Sequence, residues 1–355
     1  MSTLKIRLKF LSPLHISARG VQFEQVSQII HSDTLFGALV NAWSLLYPED
    51  VPAFFTEASN GPPFLLSSAF PYFKDWEFFP RPLSLRLTAE TKPEKRVASP
   101  PDLFKKFKRV QFLESRVFFD FIKAPEQLQF HPEHTLADSK FWLAQPPPDS
   151  DYFILRQEEM PRVVIDRYTN AANQYFVSEL HFEDRGKDEH GGLFFLARFL
   201  QEQEIWKNKF LAALRLLGDE GLGLDRSSGK GLFEVAKADP FIIPEPETAT
   251  RFATLSLFHP TDDEVKSALL DAASYELVQR SGWVTTPGRA TPYRRQTLTM
   301  FAEGSVFTGS LAQRYGDMPL VLKKNPAVKN LRNDVYRYGY AFPVGIAEEK
   351  DYGQA

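Results

Sequence analysis

Residues 221–234 read Gly-Leu-Gly-Leu-Asp-Arg-Ser-Ser-Gly-Lys-Gly-Leu-Phe-Glu. Gly221, Gly223, Gly229 and Gly231 let backbone amides crowd around an anion without a Cβ in the way. Ser227 and Ser228 add hydroxyl donors, Arg226 and Lys230 add positive charge, and Asp225 is the sole acid before Glu234. The chemistry such a set supports is phosphate binding.

The flanks decide what kind of phosphate is held. Trp206, Phe210, Leu214 and Leu217 recur at helical spacing upstream, and Leu232-Phe233-Glu234-Val235 reads as a strand downstream. Helix, loop, strand is the reverse of the order by which P-loop and dinucleotide folds aim a helix N-terminus at phosphate. The spacing departs as well: five residues rather than four separate Gly223 from Gly229, and Gly231 stands where a Mg²⁺-binding Ser or Thr belongs. A free nucleotide is disfavoured on both counts. A plain turn with C-cap glycines explains two of the glycines, but not four in company with Arg, Ser, Ser and Lys.

Other groups with chemical potential are scattered. His15 lies in Ser12-Pro-Leu-His and titrates in the range of a general base, yet no second acid–base group stands at a telling spacing. A hydrogen-bonded histidine beneath a strand is the competing reading. Residues 92–109 carry Lys92, Lys95, Arg96, Lys105, Lys106, Lys108 and Arg109 against Glu94 and Asp102, with Phe104 and Phe107 interleaved. Pro93, Pro100 and Pro101 argue against regular structure there, which suits either a flexible RNA-facing insertion or a solvated charge run. A second basic stretch, this one without acids, runs from Arg280 through Trp283 to Arg294 and Arg295, and Tyr336-Arg337-Tyr338 adds stacking and basic groups. These fit an RNA surface or, equally, tyrosines packed between sheets beside ordinary surface arginines. His181, Asp184, Asp188, Glu189 and His190 match no metal-ligand spacing and read as an exposed turn.

The elements that must position these groups follow from periodicity. Leu4, Ile6, Leu8 and Phe10 alternate with Lys5, Arg7 and Lys9, a half-buried strand with a basic solvent face. Ser32 or Asp33 is placed to cap a helix whose buried stripe is Leu35, Phe36, Leu39, Val40, Trp43 and Leu46. Val177–Phe182 and Leu193–Phe199 look like the strands of a hairpin with a polar, glycine-tipped loop. Asp239-Pro-Phe-Ile-Ile-Pro-Glu-Pro246 is a rigid linker. Beyond it come a strand at 253–258, a helix capped by Thr261 and Glu264 that runs to about Ala273, and strands near 275–279, 294–301 and 339–344.

The glycine loop between a last helix and a last strand resembles the signature of the RAMP superfamily, the RNA-binding subunits of CRISPR effectors. Pro13-Leu-His15, followed by Ile30-His-Ser-Asp-Thr-Leu-Phe-Gly-Ala-Leu39, is similar to the Cas5-like branch that holds the 5′ end of crRNA in type III-A Csm complexes. Pro161-Arg-Val-Val-Ile-Asp-Arg167 resembles the opening of the "thumb" that lies across the guide. The resemblance implies an α+β fold of two ferredoxin-like (RRM-like) domains, 1–240 and 250–350, with an insertion at about 50–160 and a β-hairpin thumb at about 163–199. It implies RNA contact by His15, Ser32, Asp33, Arg167, Gly223, Arg226, Ser227, Ser228, Gly229, Lys230, Gly231, Arg294 and Arg337. It also implies a non-catalytic role, capping the crRNA 5′ tag beside the large polymerase-like subunit and a neighbouring backbone RAMP subunit, with target RNA met indirectly. No cofactor or metal is expected. The alternative within the superfamily is a crRNA-processing endoribonuclease with His15 as general base.

Composition bounds these readings. A chain of 355 residues accommodates two domains, and 43% hydrophobic content with 32 Phe supports a packed core. The net charge of −3 means that any RNA site must be local rather than a property of the whole surface. The absence of cysteine excludes disulfides and Cys-ligated metal. No apolar run approaches the roughly 20 residues of a membrane span, and the first residues lack a signal-peptide core. A cytoplasmic protein is expected.

Overall fold

The computed structural model describes residues 2–16, 27–55, 62–86, 100–148, 153–186, 189–200, 204–284, 293–324 and 334–348. Lys92, Lys95, Arg96 and Asp188 lie outside them. In chain order the elements are β1 (Ser2–Phe10), α1 (Ser32–Leu46), β2 (Phe64–Leu66), β3 (Phe70–Phe73), β4 (Trp76–Pro80), α2 (Pro100–Arg109), β5 (Phe112–Glu114), α3 (Ser115–Lys123), β6 (Thr135–Leu136) and β7 (Phe141–Trp142). Then follow β8 (Leu155–Ile165), β9 (Ala172–Phe182), β10 (Gly191–Phe199), α4 (Glu204–Glu220), β11 (Phe233–Pro240), β12 (Arg251–Thr254) and α5 (Asp262–Lys266). The last are β13 (Leu277–Arg280), β14 (Trp283–Val284), β15 (Tyr293–Arg294), β16 (Leu298–Phe301), β17 (Val306–Thr308), β18 (Leu320–Leu322), β19 (Val335–Tyr336) and β20 (Pro343–Ile346).

The main sheet runs β11-β1-β10-β3-β4-β5-β7-β6, with β2 also paired to β10. β1 sits between β10 and β11, antiparallel to both, because Leu4, Ile6 and Leu8 need a covered face while Lys5, Arg7 and Lys9 need partners on the other. The basic face is not open solvent. Lys5 and Arg7 converge on Glu77 at 2.9 and 2.6 Å, and Lys9 reaches Asp184 at 3.2 Å. Helices α1 and α4 pack together over the apolar face. There Trp43 lies 5.2 Å from Phe54 and 5.7 Å from Trp206, aromatic pairs that each add about 0.5–1.5 kcal/mol beyond their buried area.

The predicted insertion at about 50–160 divides into two kinds of structure. β2, β3 and β4 belong to the main sheet, while α2, α3 and β5 to β7 extend its far edge. Residues 100–109 form a helix despite their prolines, because Pro100 and Pro101 stand at its first positions, where a missing N–H costs nothing. Phe107 is buried under it, and Lys108 lies 4.6 Å over the Phe104 ring.

The hairpin expected between 177–182 and 193–199 takes a different form. β9 pairs along its whole length with β8, from Leu155↔Phe182 to Ile165↔Ala172, and β10 is the central strand between β1 and β3. Leu193 to Ala197 are all fully buried, the continuous apolar run of a strand covered on both faces rather than the alternation of a ribbon. The projecting hairpin is therefore 155–182, with its turn at 166–171, and β10 re-enters the main sheet at Gly191.

The C-terminal half is a three-stranded sheet, β17-β12-β20, with the small ladders β13–β16, β14–β15 and β18–β19 beside it. The Thr261–Glu264 capping box forms with both bonds present, but α5 is five residues long and a 3₁₀ turn at Ala268–Leu270 replaces its expected continuation. Leu255, Val306, Tyr338, Tyr340, Phe342 and Val344 of this half belong to the same apolar cluster as β1, α1 and β10. No described helix is long and apolar enough to cross a membrane.

Candidate nucleic-acid interface

The glycine loop is shaped by the chain that leads out of β1. Leu224 N–H donates to the His15 carbonyl at 2.8 Å, Gly231 N–H to the Pro13 carbonyl at 2.9 Å, and Leu232 N–H to Ser12 Oγ at 2.9 Å. These bonds explain two of the glycines. A Cβ on Gly223 would lie 2.5 Å from the His15 carbonyl oxygen, and one on Gly231 would lie 1.9 Å from that of Leu222. Both residues have positive φ, as do Gly221 and Gly229, but a Cβ on Gly229 would meet nothing within 4 Å. Gly229 thus sits on the open side of the loop.

Residues Arg226–Ser228 form a 3₁₀ turn at the crest, flanked by Asp225 and Gly229 in the left-handed region. The amides of Ser228, Gly229 and Lys230 bond back to the carbonyls of Asp225 and Arg226. Among the described residues no acceptor engages the amides of Arg226 and Ser227 or their side chains, and both residues are exposed. Two amides, one guanidinium and two hydroxyls at an exposed crest are the part of the loop open to an anion.

Lys230 is placed otherwise. Its Nζ lies 2.7 Å from Glu179 Oε2 at the base of the hairpin, and Arg162 reaches the other oxygen at 3.2 Å. The Glu179 side chain is almost fully buried, so Lys230 compensates its charge and ties the loop to β9. His15 is also structural in position: only 1% exposed, it lies 3.2 Å from Asp225 Oδ2 through Nδ1 while its carbonyl holds Leu224. The partner acid that sequence spacing failed to supply is Asp225, brought close across 210 residues by the fold.

The remaining expected contacts disperse. Arg167 is exposed in the turn of the β8–β9 hairpin, and about 23 Å of strand separate Ala172 from Glu179, so it is remote from the glycine loop. Arg294 is exposed on β15, opposite Trp283. Ser32, Asp33 and Arg337 are buried and engaged, which removes them from the ligand-facing set. Neither Ser32 nor Asp33 caps α1, where His31 holds the cap position. Ser32 Oγ accepts from Leu257 N–H at 3.1 Å. Asp33 accepts from Arg280 at 2.8 and 3.0 Å and from Arg337, joining the two halves of the chain. Burial alone would raise the Asp33 carboxyl, but Arg280, Arg337 and His31 outweigh it and hold Asp33 well below the usual carboxylate range. Among the described residues no group of three or more acidic or histidine side chains is arranged to hold a metal ion.

A family model described as the RAMP superfamily matches residues 7–234, and one described as the CRISPR Csm4 C-terminal domain matches residues 247–346. The chain is 27% identical over 340 residues to the "CRISPR system Cms protein Csm4" of Thermococcus onnurineus (strain NA1), covering 94% of this chain and 97% of that protein. One chain of a crystal structure of a Csm1–Csm4 cassette in complex with pppApA superposes with a TM-score of 0.60 at 22% identity, covering 99% of this chain and 100% of that one. One chain of a Csm3–Csm4 subcomplex from a type III-A CRISPR–Cas interference complex superposes at 0.61 and 17% identity, covering 98% and 100%.

Proposed function

Because this chain belongs to the RAMP superfamily, and within it to the Csm4 family, we propose that it is the non-catalytic crRNA-binding subunit of a type III-A Csm interference complex. It caps the 5′ tag of the crRNA, docks on the large polymerase-like subunit and adjoins a backbone RAMP subunit. Support for the partners comes from relatives of the same fold that are found with Csm1 and with Csm3. The order β11-β1-β10-β3 with α1 and α4 on one face is that of a ferredoxin-like domain, and the β8–β9 hairpin is the candidate thumb. The smaller C-terminal sheet is a reduced second domain of the same kind.

The observation that carries the RNA reading is the exposed crest, where the amides of Arg226 and Ser227 and the side chains of Arg226, Ser227 and Ser228 have no acceptor among the described residues. This set holds a tag phosphate. The endoribonuclease reading gains Asp225 as a partner for His15, but a histidine buried to 1% beneath its own loop cannot reach a ribose hydroxyl. Purified protein mixed with repeat RNA is expected to retain the RNA and yield no discrete product between pH 6 and 9. For single strands log K falls against log salt by about 0.7 per phosphate contacted, so Arg226→Ala is expected to flatten the slope by about that amount. A single-site cleavage product lost in His15→Ala overturns the non-catalytic reading. An unaltered slope in Arg226→Ala overturns the cradle.

A further inference from the structure

The seam between the two halves holds more positive charge than its acids neutralise. Arg280 and Arg337 both bond to Asp33, and Arg337 Nη2 also donates to the Ser281 carbonyl at 2.9 Å. The Arg295 backbone N–H donates to the next carbonyl, that of Gly282, at 2.9 Å, and its side chain lies within electrostatic reach of Arg337, Asp33 and Arg280, a third guanidinium beside the first two. The other nearby acid, Glu303, is taken by His31 at 2.8 Å and by Ser68. Asp33 with Glu303, which also acts on Arg280 electrostatically, leaves one of the three guanidinium charges unbalanced.

The guanidinium of Arg295 has no hydrogen-bond or ion-pair partner among the described residues. Its Nε is shielded from solvent and unsatisfied, as is the Nε of Arg337, a residue only 4% exposed. An orphaned, shielded donor on a permanent cation is costly unless an anion completes it. Burial and the neighbouring Arg337 and Arg280 charges lower the Arg295 pKa, as expected of like charges crowded in a poorly solvated place.

We propose that this seam is a second anion site, in which Arg295 takes an RNA backbone phosphate while Asp33 holds Arg280 and Arg337 behind it. The proposal rests on the reading of the chain as an RNA-binding subunit. Its surroundings favour RNA over an acidic peptide. The β14–β15 ladder sets Trp283, 47% exposed, directly opposite the exposed Arg294, so a stacking ring and a further cation stand on the open face of the ladder that leads into Arg295. Gly282 forms the turn at φ 138°, with nothing within 4 Å of where a Cβ would stand, so the backbone there is open to close approach.

The test uses the full chain, a fluorescein-labelled single-stranded RNA of repeat sequence, and salt titrations of Arg295→Gln, Arg295→Lys and Arg226→Ala. Arg295→Gln is expected to weaken binding about tenfold, the loss of one charge-assisted contact, and to lower the salt slope by about 0.7. Its melting temperature should hold or rise, because an unpaired buried charge is removed. Arg295→Lys is expected to recover the salt slope but not the full affinity, since an ammonium replaces a planar fork. Inorganic phosphate should compete only at millimolar concentration if the site reads RNA backbone. Micromolar competition by phosphate, or competition by poly-glutamate against an RNA affinity insensitive to Arg295→Gln, overturns the assignment to RNA. Wild-type affinity and slope in Arg295→Gln, with Arg226→Ala impaired, overturns the seam site alone. Wild-type behaviour in both overturns the underlying RNA reading as well.

Discussion

Asp33 holds two guanidiniums, and converting it to Asn keeps its shape while leaving both without a charged acceptor. Breaking one side of a buried ion cluster costs about 3–5 kcal/mol, so Asp33→Asn is expected to lower the urea midpoint sharply. The pH dependence follows from the depressed carboxyl groups of Asp33 and Glu303. A group whose folded pKa lies below its unfolded value, about 4 for these acids, contributes stability that is fully present above that value and lost as pH falls through the folded one. Wild-type melting temperature should therefore decline below about pH 4, and Asp33→Asn should decline less. Parallel curves for the two proteins would show that the carboxylate is not what the arginines stabilise. None of this was legible locally. Ser32 and Asp33 have the residue types of a helix cap, but Asp33's partners lie 247 and 304 positions away, and no spacing rule reaches that far. The same holds for Lys230, whose charge looked available for phosphate until β9 brought buried Glu179 beside it.

At the scale of elements, the glycine loop separates two jobs that composition alone cannot. Gly231 is needed because backbone passes too close for any side chain, whereas Gly229 needs only its left-handed backbone. Gly231→Ala should thus be severely destabilising or fail to fold. Gly229→Ala should cost only the left-handed penalty of about 1–2 kcal/mol and leave the fold intact, as urea titration of the pair would reveal. Equal destabilisation by the two would mean that the close Leu222 contact does not exist. The helix–loop–strand order around these glycines was readable from periodicity, since α4 and β11 each bury one face. The hairpin was not, because Leu193 to Phe199 has the strand propensity of a ribbon and only the unbroken burial of Leu193 to Ala197 distinguishes a central strand. The true ribbon, β8–β9, exposes Met160, Val163, Val164, Ile165, Tyr168 and Phe176, an apolar composition that reads as core until the backbone shows it projecting. Replacing 163–174 with a short Gly-Ser turn should leave melting within a few degrees, since those side chains bury little. A collapsed melting temperature would show that the ribbon packs against the body in solution.

At the scale of the whole molecule, the proline-punctuated segment at 239–246 looks like a linker between independent domains, and the packing across it argues otherwise. Leu66 N–H donates to Tyr338 Oη at 2.9 Å inside the core, Ser68 N–H to the Leu255 carbonyl at 2.8 Å, and Ala347 N–H to the Ile122 carbonyl at 2.8 Å. Phe36 stacks on Tyr338 at 4.7 Å, so the helix of one half and a late loop of the other bury the same rings. Burial pushes the Tyr338 hydroxyl far above the usual phenol range, consistent with an environment from which water is excluded. Halves that share a core and an ion cluster cannot lose one without exposing the other's apolar face. Differential scanning calorimetry is therefore expected to give one transition whose calorimetric and van't Hoff enthalpies agree, and Asp33→Asn should move it downward without splitting it. Two resolved transitions in the wild-type chain, or a variant that shifts only one of them, would establish that the halves fold separately and that the seam is a contact between domains rather than part of a single core.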